Sequence, residues 1–336
     1  MENYNSSAWG DSDTQFFFEL DPDRILSTVE QIGQRSTGRV ITLNSMENRV
    51  FEIELEETAD DPSPRVVAKF YRPGRWSKEQ ILEEHQFLAD LKSEEIEVVA
   101  PLQFIDGTTL TKVTGAEIYC AVFPKQRGRI PDELSAEQFG RIGRLLARVH
   151  TVGAKRVAHN RIILDPESYG LNNLDYLIDS DAIPEATAIR YEEVVDEICE
   201  RIFPLFDSVP IQRIHGDLHF GNILWGDSGP FLVDFDDMVQ GPCVQDLWLL
   251  SPGRDEEAKD NMNLILSGYE EMREFDRGTL RLIEPLRALR FVHFAAWIQK
   301  RWEDPIFQKN YPMFGTEKYW REQLIDLEEQ LELIPR

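Results

Sequence analysis

The pattern of apolar and polar positions changes character near residue 124. Before that point short, β-branched runs dominate. Val40 to Leu55 reads as two strands joined by the turn-like Asn44-Ser45, and Arg65 to Tyr71 as a third. Asp60-Asp61-Pro62-Ser63-Pro64 between them is a loop, because clustered Pro, Ser and Asp interrupt regular backbone. Ser77 carries a side-chain oxygen suited to capping a helix N-terminus. Ile81, Leu82, Phe87, Leu88 and Leu91 follow it at helical spacing. Leu102 to Ile105 and Ile118 to Phe123 predict two more strands, the second ended by Pro124, which has no N–H to donate.

Beyond Pro124 the periodicity is mainly helical. Ser135 caps a helix carrying Phe139, Ile142, Leu145, Leu146 and Val149, and residues 191–206 form another. Two short strands, Ile211 to Ile214 and Phe231 to Val233, flank a loop rich in Gly and His; from Asp246 onward the chain reads as helices. Most tryptophans fall between Gly241 and Pro335, where packing of large helices accounts for them. The pattern predicts an α+β protein. It has an N-terminal arm over 1–20, a β-rich lobe with one main helix over 21–123, and a helical lobe over 124–336.

Composition narrows the function. The chain has 336 residues, room for two lobes, and its 42% hydrophobic and 29% charged content is that of a globular protein. Sixty-one acidic residues against 36 basic ones give a formal net charge of -25, which opposes nucleic acid and anionic membranes as partners. The same charge repels free nucleotide, so a phosphate site has to supply its own cations. Cys120, Cys199 and Cys243 are widely spaced and form no CxxC pair, which argues against a disulfide framework or a zinc site. Met1-Glu2-Asn3-Tyr4 does not open an export signal, and no stretch is apolar for long enough to span a bilayer; a cytoplasmic location is the expectation.

The chemistry concentrates in Ile214-His215-Gly216-Asp217-Leu218-His219-Phe220-Gly221-Asn222, followed by Val233-Asp234-Phe235-Asp236. An aspartate with an asparagine five places on, then an aspartate after a short apolar strand, is the spacing of a kinase catalytic centre. Phosphoryl transfer asks little covalent work of a protein; it needs alignment and cations against phosphate charge. Asp217 would orient or accept the proton of the attacking hydroxyl. The Asn222 amide and the Asp234 carboxylate supply hard oxygens for Mg2+, and Gly216 and Gly221 allow tight bends. His215 and His219 would make a metal pair only on a helix, and the glycines argue for a loop instead.

A phosphate-holding lysine is expected on an N-lobe strand, and Val66-Val67-Ala68-Lys69 supplies it. Its partner is Glu84, whose helix face includes Phe87, Leu88 and Leu91, or the adjacent Glu83. There is no GxGxxG loop. The corresponding segment, Leu43 to Val50, is either a plain hairpin turn or a loop whose backbone N–H groups and Ser45 hydroxyl face the phosphates.

At this point the chain resembles the stress response kinase A family, within the aminoglycoside phosphotransferase and choline kinase superfamily. The matching stretches are LNSMENRVF, VVAKFYRPGRWSKEQILEEHQFL, AVFP, IHGDLHFGNILW, VDFDDMVQGPCVQDLW, YEEMREFD, IEPLRALR and RWEDP. The resemblance implies a bilobal protein-kinase-like fold and a monomeric, ATP-dependent serine/threonine protein kinase linked to stress and survival. It implies Asp217 as proton acceptor, Asn222 and Asp234 as Mg2+ ligands, Ser45 on ATP, Lys69 and Glu84 as an ion pair, and Val122 and Phe123 at an adenine-binding hinge. His-Gly-Asp replaces His-Arg-Asp, and only a short segment separates Asp234 from Gln245-Asp246-Leu247-Trp248, so little room remains for a phosphorylation-controlled activation loop. Asp246 is expected to brace the catalytic loop instead. Two other readings stay open: a kinase for a small hydroxylated molecule, and a scaffold without turnover. The net charge favours a cationic acceptor in either enzyme reading.

Overall fold

A computed structural model describes Phe17, residues 19–59 and residues 61–335. The arm expected over 1–20 lies mostly outside the described residues, as does Asp60. In chain order the elements are α1 (Pro22–Val29), β1 (Ser36–Thr42), β2 (Arg49–Leu55), β3 (Arg65–Phe70), α2 (Lys78–Ser93), β4 (Thr111–Lys112) and β5 (Tyr119–Pro124). Then come α3 (Ala136–Gly153), α4 (Asn172–Asp179), α5 (Glu185–Phe206), β6 (Gln212–Ile214), β7 (Ile223–Gly226), β8 (Gly229–Leu232), β9 (Val239–Gly241) and α6 (Val244–Trp248). The chain finishes with α7 (Glu256–Glu270), α8 (Ile283–Lys300), α9 (Pro305–Asn310) and α10 (Glu317–Leu333).

Two compact units share the chain. The strand-rich unit holds the described residues up to Leu134 together with Phe220–Asp236; the helical unit holds Ser135–His219 and the residues from Asp237 onward. This differs from a single cut after Phe123. The β7–β8 hairpin goes with the strand-rich unit because Leu232 bridges to Val98 and Trp225 bridges to Arg129.

The strand-rich unit is an antiparallel sheet in the order β1-β2-β3-β5-β4. Alternation on β3 buries Val66, Ala68 and Phe70 in a core shared with Ile53, Ile118, Val122 and the α1 residues Ile25 and Val29. Lys69 thereby points to the opposite face of the strand. Helix α1, which the apolar pattern did not reveal, starts at an Asp21 cap that accepts the Arg24 N–H, with Pro22 in its first turn. Phe17 and Leu20, assigned to the arm, pack against this core. In α2, Ser77 and Gln80 form a reciprocal capping box, and Ile81, Glu84, His85, Phe87, Leu88 and Leu91 are buried. The strand expected over Leu102 to Ile105 is absent. Only the Leu102 N–H reaches the sheet, donating to Val122 O; the Phe104 N–H closes a turn onto Thr108 O, and β4 takes the edge position.

In the helical unit, α3 and α7 approach closely through glycines. A Cβ on Gly143 would lie 2.0 Å from Ile265 O, and one on Gly268 would lie 2.1 Å from Gly140 O. Of the C-terminal tryptophans, Trp248, Trp297 and Trp320 are core residues, as expected, and Trp302 is half-buried. Trp320 is fully buried with its ring edge-to-face against Tyr191 at 5.6 Å, and Trp297 packs on Phe307 at 4.9 Å. β6 pairs antiparallel with β9, Ile214 opposite Val239, and this two-stranded ribbon launches the His215–His219 loop. Among the described residues no helix is long and apolar enough to cross a membrane.

Candidate active site

The loop after β6 is shaped from the α6 side. Asp246, fully buried, accepts the His215 N–H on Oδ2 and the Gly216 N–H on Oδ1, both at 2.8 Å. Gln245 donates to Gly216 O at 2.8 Å and accepts from the Trp248 indole at 2.9 Å. His150 of α3 lies 3.1 Å from the same Asp246 Oδ2. Burial disfavours charge on His150, yet Cys243, Tyr269 and Asp246 outweigh it and hold its pKa well above the ordinary histidine range. Gly216 has φ +88, and a Cβ there would lie 2.1 Å from Asp237 O, so only glycine fits this bend.

Asp217 stands at the apex, its side chain partly buried. Arg290 Nη1 of α8 lies 2.9 Å from Oδ1, and His219 Nε2 lies 3.6 Å from Oδ2. Burial pushes the carboxyl up, but Arg290, then His219 and His215, outweigh it and leave it below the usual carboxylate range. One turn earlier on α8, Arg287 stacks over Trp248 at 4.9 Å, the same tryptophan that fixes Gln245. Sequence reasoning missed Arg290, since a helix arginine 73 residues from Asp217 carries no local mark.

In the strand-rich unit the β7–β8 ribbon sets the second group. Ile223 pairs with Leu232, and Asn222 O accepts the Val233 N–H at 3.1 Å, so Asn222 and Asp234 sit together at the open end of one hairpin. Asp234 has φ +59, a left-handed conformation uncommon outside glycine but accessible to aspartate. Lys69 Nζ lies 2.9 Å from Asp234 Oδ1, 3.2 Å from Asp236 Oδ1 and 3.9 Å from Glu84 Oε1. Burial opposes the lysine's charge; Asp234, Asp236 and Glu84 overcome it and raise its pKa well above the ordinary value. Glu84 is the buried glutamate facing Lys69, whereas Glu83 is half-buried. The Tyr71 hydroxyl adds contacts to Glu84 Oε2 at 3.4 Å and His85 Nε2 at 3.1 Å.

Asp236 is the acidic residue the sequence did not single out. It is buried and receives Lys69, the Arg75 guanidinium and, at 3.0 Å, the Asn48 amide. Asn48 in turn accepts the Arg72 N–H at 3.0 Å, and Arg72 Nε and Nη2 donate to Glu47 O at 2.9 Å and Met46 O at 3.1 Å. The Tyr71-to-Trp76 segment therefore fastens the β1–β2 loop. Two arginines in a Pro-Gly turn directly after the lysine strand were the available signal. Ser45 lies in that loop, its Oγ accepting the Asn48 N–H at 3.3 Å. Val122 and Phe123 are paired along β3, opposite Ala68 and Val67, and the Val122 carbonyl accepts from Leu102. Val122 thus has its carbonyl engaged by the Leu102 N–H from outside the strands.

The donor set suits a hard divalent ion held by few protein groups. Asn222 and Asp234 offer amide and carboxylate oxygens from neighbouring positions, and Asp234 Oδ2 has no partner among the described residues. Among the described residues no cluster of three or more His, Cys, Asp or Glu is arranged to hold a metal, and His215 is fully buried in the loop.

The lysine–carboxylate cluster and, separately, the braced aspartate loop are in keeping with phosphoryl transfer, and the chain belongs to the phosphotransferase enzyme family, whose profile matches residues 40–283. Among its relatives is stress response kinase A of Escherichia coli, 39% identical over 95% of this chain and 94% of that one. The serine/threonine protein kinase RdoA of Salmonella typhimurium is 37% identical over 96% of each chain. The fold is shared with amicoumacin kinase, solved with AMP-PNP and Ca2+, at a TM-score of 0.73 and 20% identity over 94% of both chains.

Proposed function

We propose that the chain is an ATP-dependent serine/threonine protein kinase of a stress response, transferring the γ-phosphoryl group to a hydroxyl. The observation that carries this reading is the Lys69 ammonium gathered with Glu84 and Asp234, a cation prepared for phosphate charge inside a strongly acidic chain. Asp217, kept ionised, accepts the hydrogen bond of the attacking hydroxyl and orients its oxygen. Lys69 holds the α- and β-phosphates, and the β1–β2 loop with Ser45 covers them. The end of β5, at Val122 and Phe123, marks the adenine edge. Asn222 and Asp234 would hold Mg2+, which supplies charge neutralisation on the phosphates when bound.

Protein as the acceptor is supported by the RdoA relative's name. Folds shared with amicoumacin kinase and with an aminopropanol kinase, at a TM-score of 0.70, favour a small hydroxylated acceptor as the second reading. Labelled ATP offered to whole-cell protein and, separately, to small metabolites decides between them. Label in protein, lost by about a thousandfold in Asp217→Asn, is the expected result. Label in metabolites alone moves the assignment to the second reading, and turnover indifferent to Asp217 removes both.

A further inference from the structure

The guanidinium of Arg290 is only partly used. Its hydrogen bond to Asp217 Oδ1 at 2.9 Å is the one it makes among the described residues, and its side chain is 39% exposed. An arginine carries five N–H donors in a planar fork, so most of this fork is open beside the base. The residue is not needed to anchor α8. Leu286, Leu289 and Val292 bury that helix, and Arg287 supplies its contacts to Trp248 and, at 3.2 Å, to Glu284.

Distances limit what the open fork can meet. A hydroxyl donating to Asp217 sits about 2.7 Å from the carboxylate. Arg290 sits 2.9 Å from the same carboxylate, so groups a few bonds from that hydroxyl come within the arginine's reach. His219, 3.6 Å from Oδ2, adds a second proton-binding group on the other oxygen. On a chain of net charge -25 this is a local exception, and it runs against the cationic acceptor that the overall charge suggests.

We propose that Arg290 determines acceptor specificity by binding a carboxylate next to the acceptor hydroxyl, so that serine or threonine flanked by Asp or Glu is the preferred substrate. This rests on the phosphotransfer reading given above. A planar fork matches a carboxylate with two parallel hydrogen bonds, and its remaining donors allow it to keep Asp217 while doing so.

The test uses the full chain with ATP, Mg2+ and serine peptides of equal length, flanked by Asp/Glu, Ala or Lys, with kcat and KM measured separately. The acidic peptides are expected to show a KM about tenfold below the neutral ones. Arg290→Gln abolishes that difference, Arg290→Lys restores part of it, and Arg290→Glu turns the preference toward Lys-flanked peptides. Thermal melting and nucleotide affinity unchanged across the variants establish that the fold and ATP site are intact. Indifference of the wild type to flanking charge, or a preference that survives Arg290→Gln, overturns the proposal. A parallel arm offers small hydroxy acids and amino alcohols. Transfer confined to the hydroxy acids and lost in Arg290→Gln upholds the arginine's role while removing the protein-kinase reading; transfer to no hydroxyl at all removes both.

Discussion

Lys69 and Asp234 are joined at 2.9 Å across 165 residues of sequence, one on a sheet strand and one just past a hairpin. Because Asp236 and Glu84 share the same ammonium, the lysine neutralises an acidic cluster that is otherwise mostly buried. Lys69→Met leaves those carboxylates without their central cation. The expected loss is about 3 kcal/mol of stability, read by denaturant melts. Phosphotransfer falls at the same time by about a hundredfold or more, measured at saturating acceptor.

Arg75 tests the fastening of the β1–β2 loop. Its guanidinium and Asp236 are both buried, so Arg75→Ala removes one charged partner of the carboxylate, leaves Lys69 and Asn48 on it, and is expected to cost about 2 kcal/mol. Since Asp236 also holds Asn48, the KM for ATP should rise while the KM for acceptor stays fixed. Equal changes in both would disconnect this residue from the nucleotide side.

Two glycines with the same backbone twist separate conformation from space. Gly38, at φ +84, has nothing within 4 Å of an added Cβ, so Gly38→Ala is expected to cost about 1 kcal/mol, the left-handed penalty alone. Gly216, at φ +88, would meet Asp237 O at 2.1 Å, so Gly216→Ala adds a backbone collision and should cost about 3 kcal/mol with loss of turnover. Comparable melting temperatures for the two variants would contradict the geometry.

The acidic limb of the pH–rate profile follows from Asp217. On the proposed reading the ionised carboxylate is the working form, and Arg290 helps keep its pKa low, so activity is expected to extend below the usual carboxylate range before it falls. In Arg290→Gln the opposing effect of burial is less compensated, and the limb moves to higher pH. Neutral acceptors should be used to record kcat/KM, so that the shift reports the base alone. A limb that stays in place would show that Arg290 does not act on Asp217 in solution.

What could be read in advance was whatever carries its own local grammar. Asp217, Asn222, Asp234 and Lys69 stood out as candidates because their spacing lies along one strand or loop, and Ser77 and Ser135 because a cap acts within one turn. Arg290, Asp236, Asn48 and His150 did not, since each matters only through a partner that the fold brings from far along the chain. The strand expected at Leu102 failed for a related reason. Phe104 is buried as the pattern required, but Ile105 is 78% exposed and the Phe104 N–H is captured by a local turn, so a short apolar run marked one core contact and no strand pairing.

The segment following the Asp236 cluster is short and is tied down as β9, residue opposite residue, along the strand that precedes the catalytic loop. With Val239, Gln240 and Gly241 laddered to β6, the link from Asp236 to α6 has little slack.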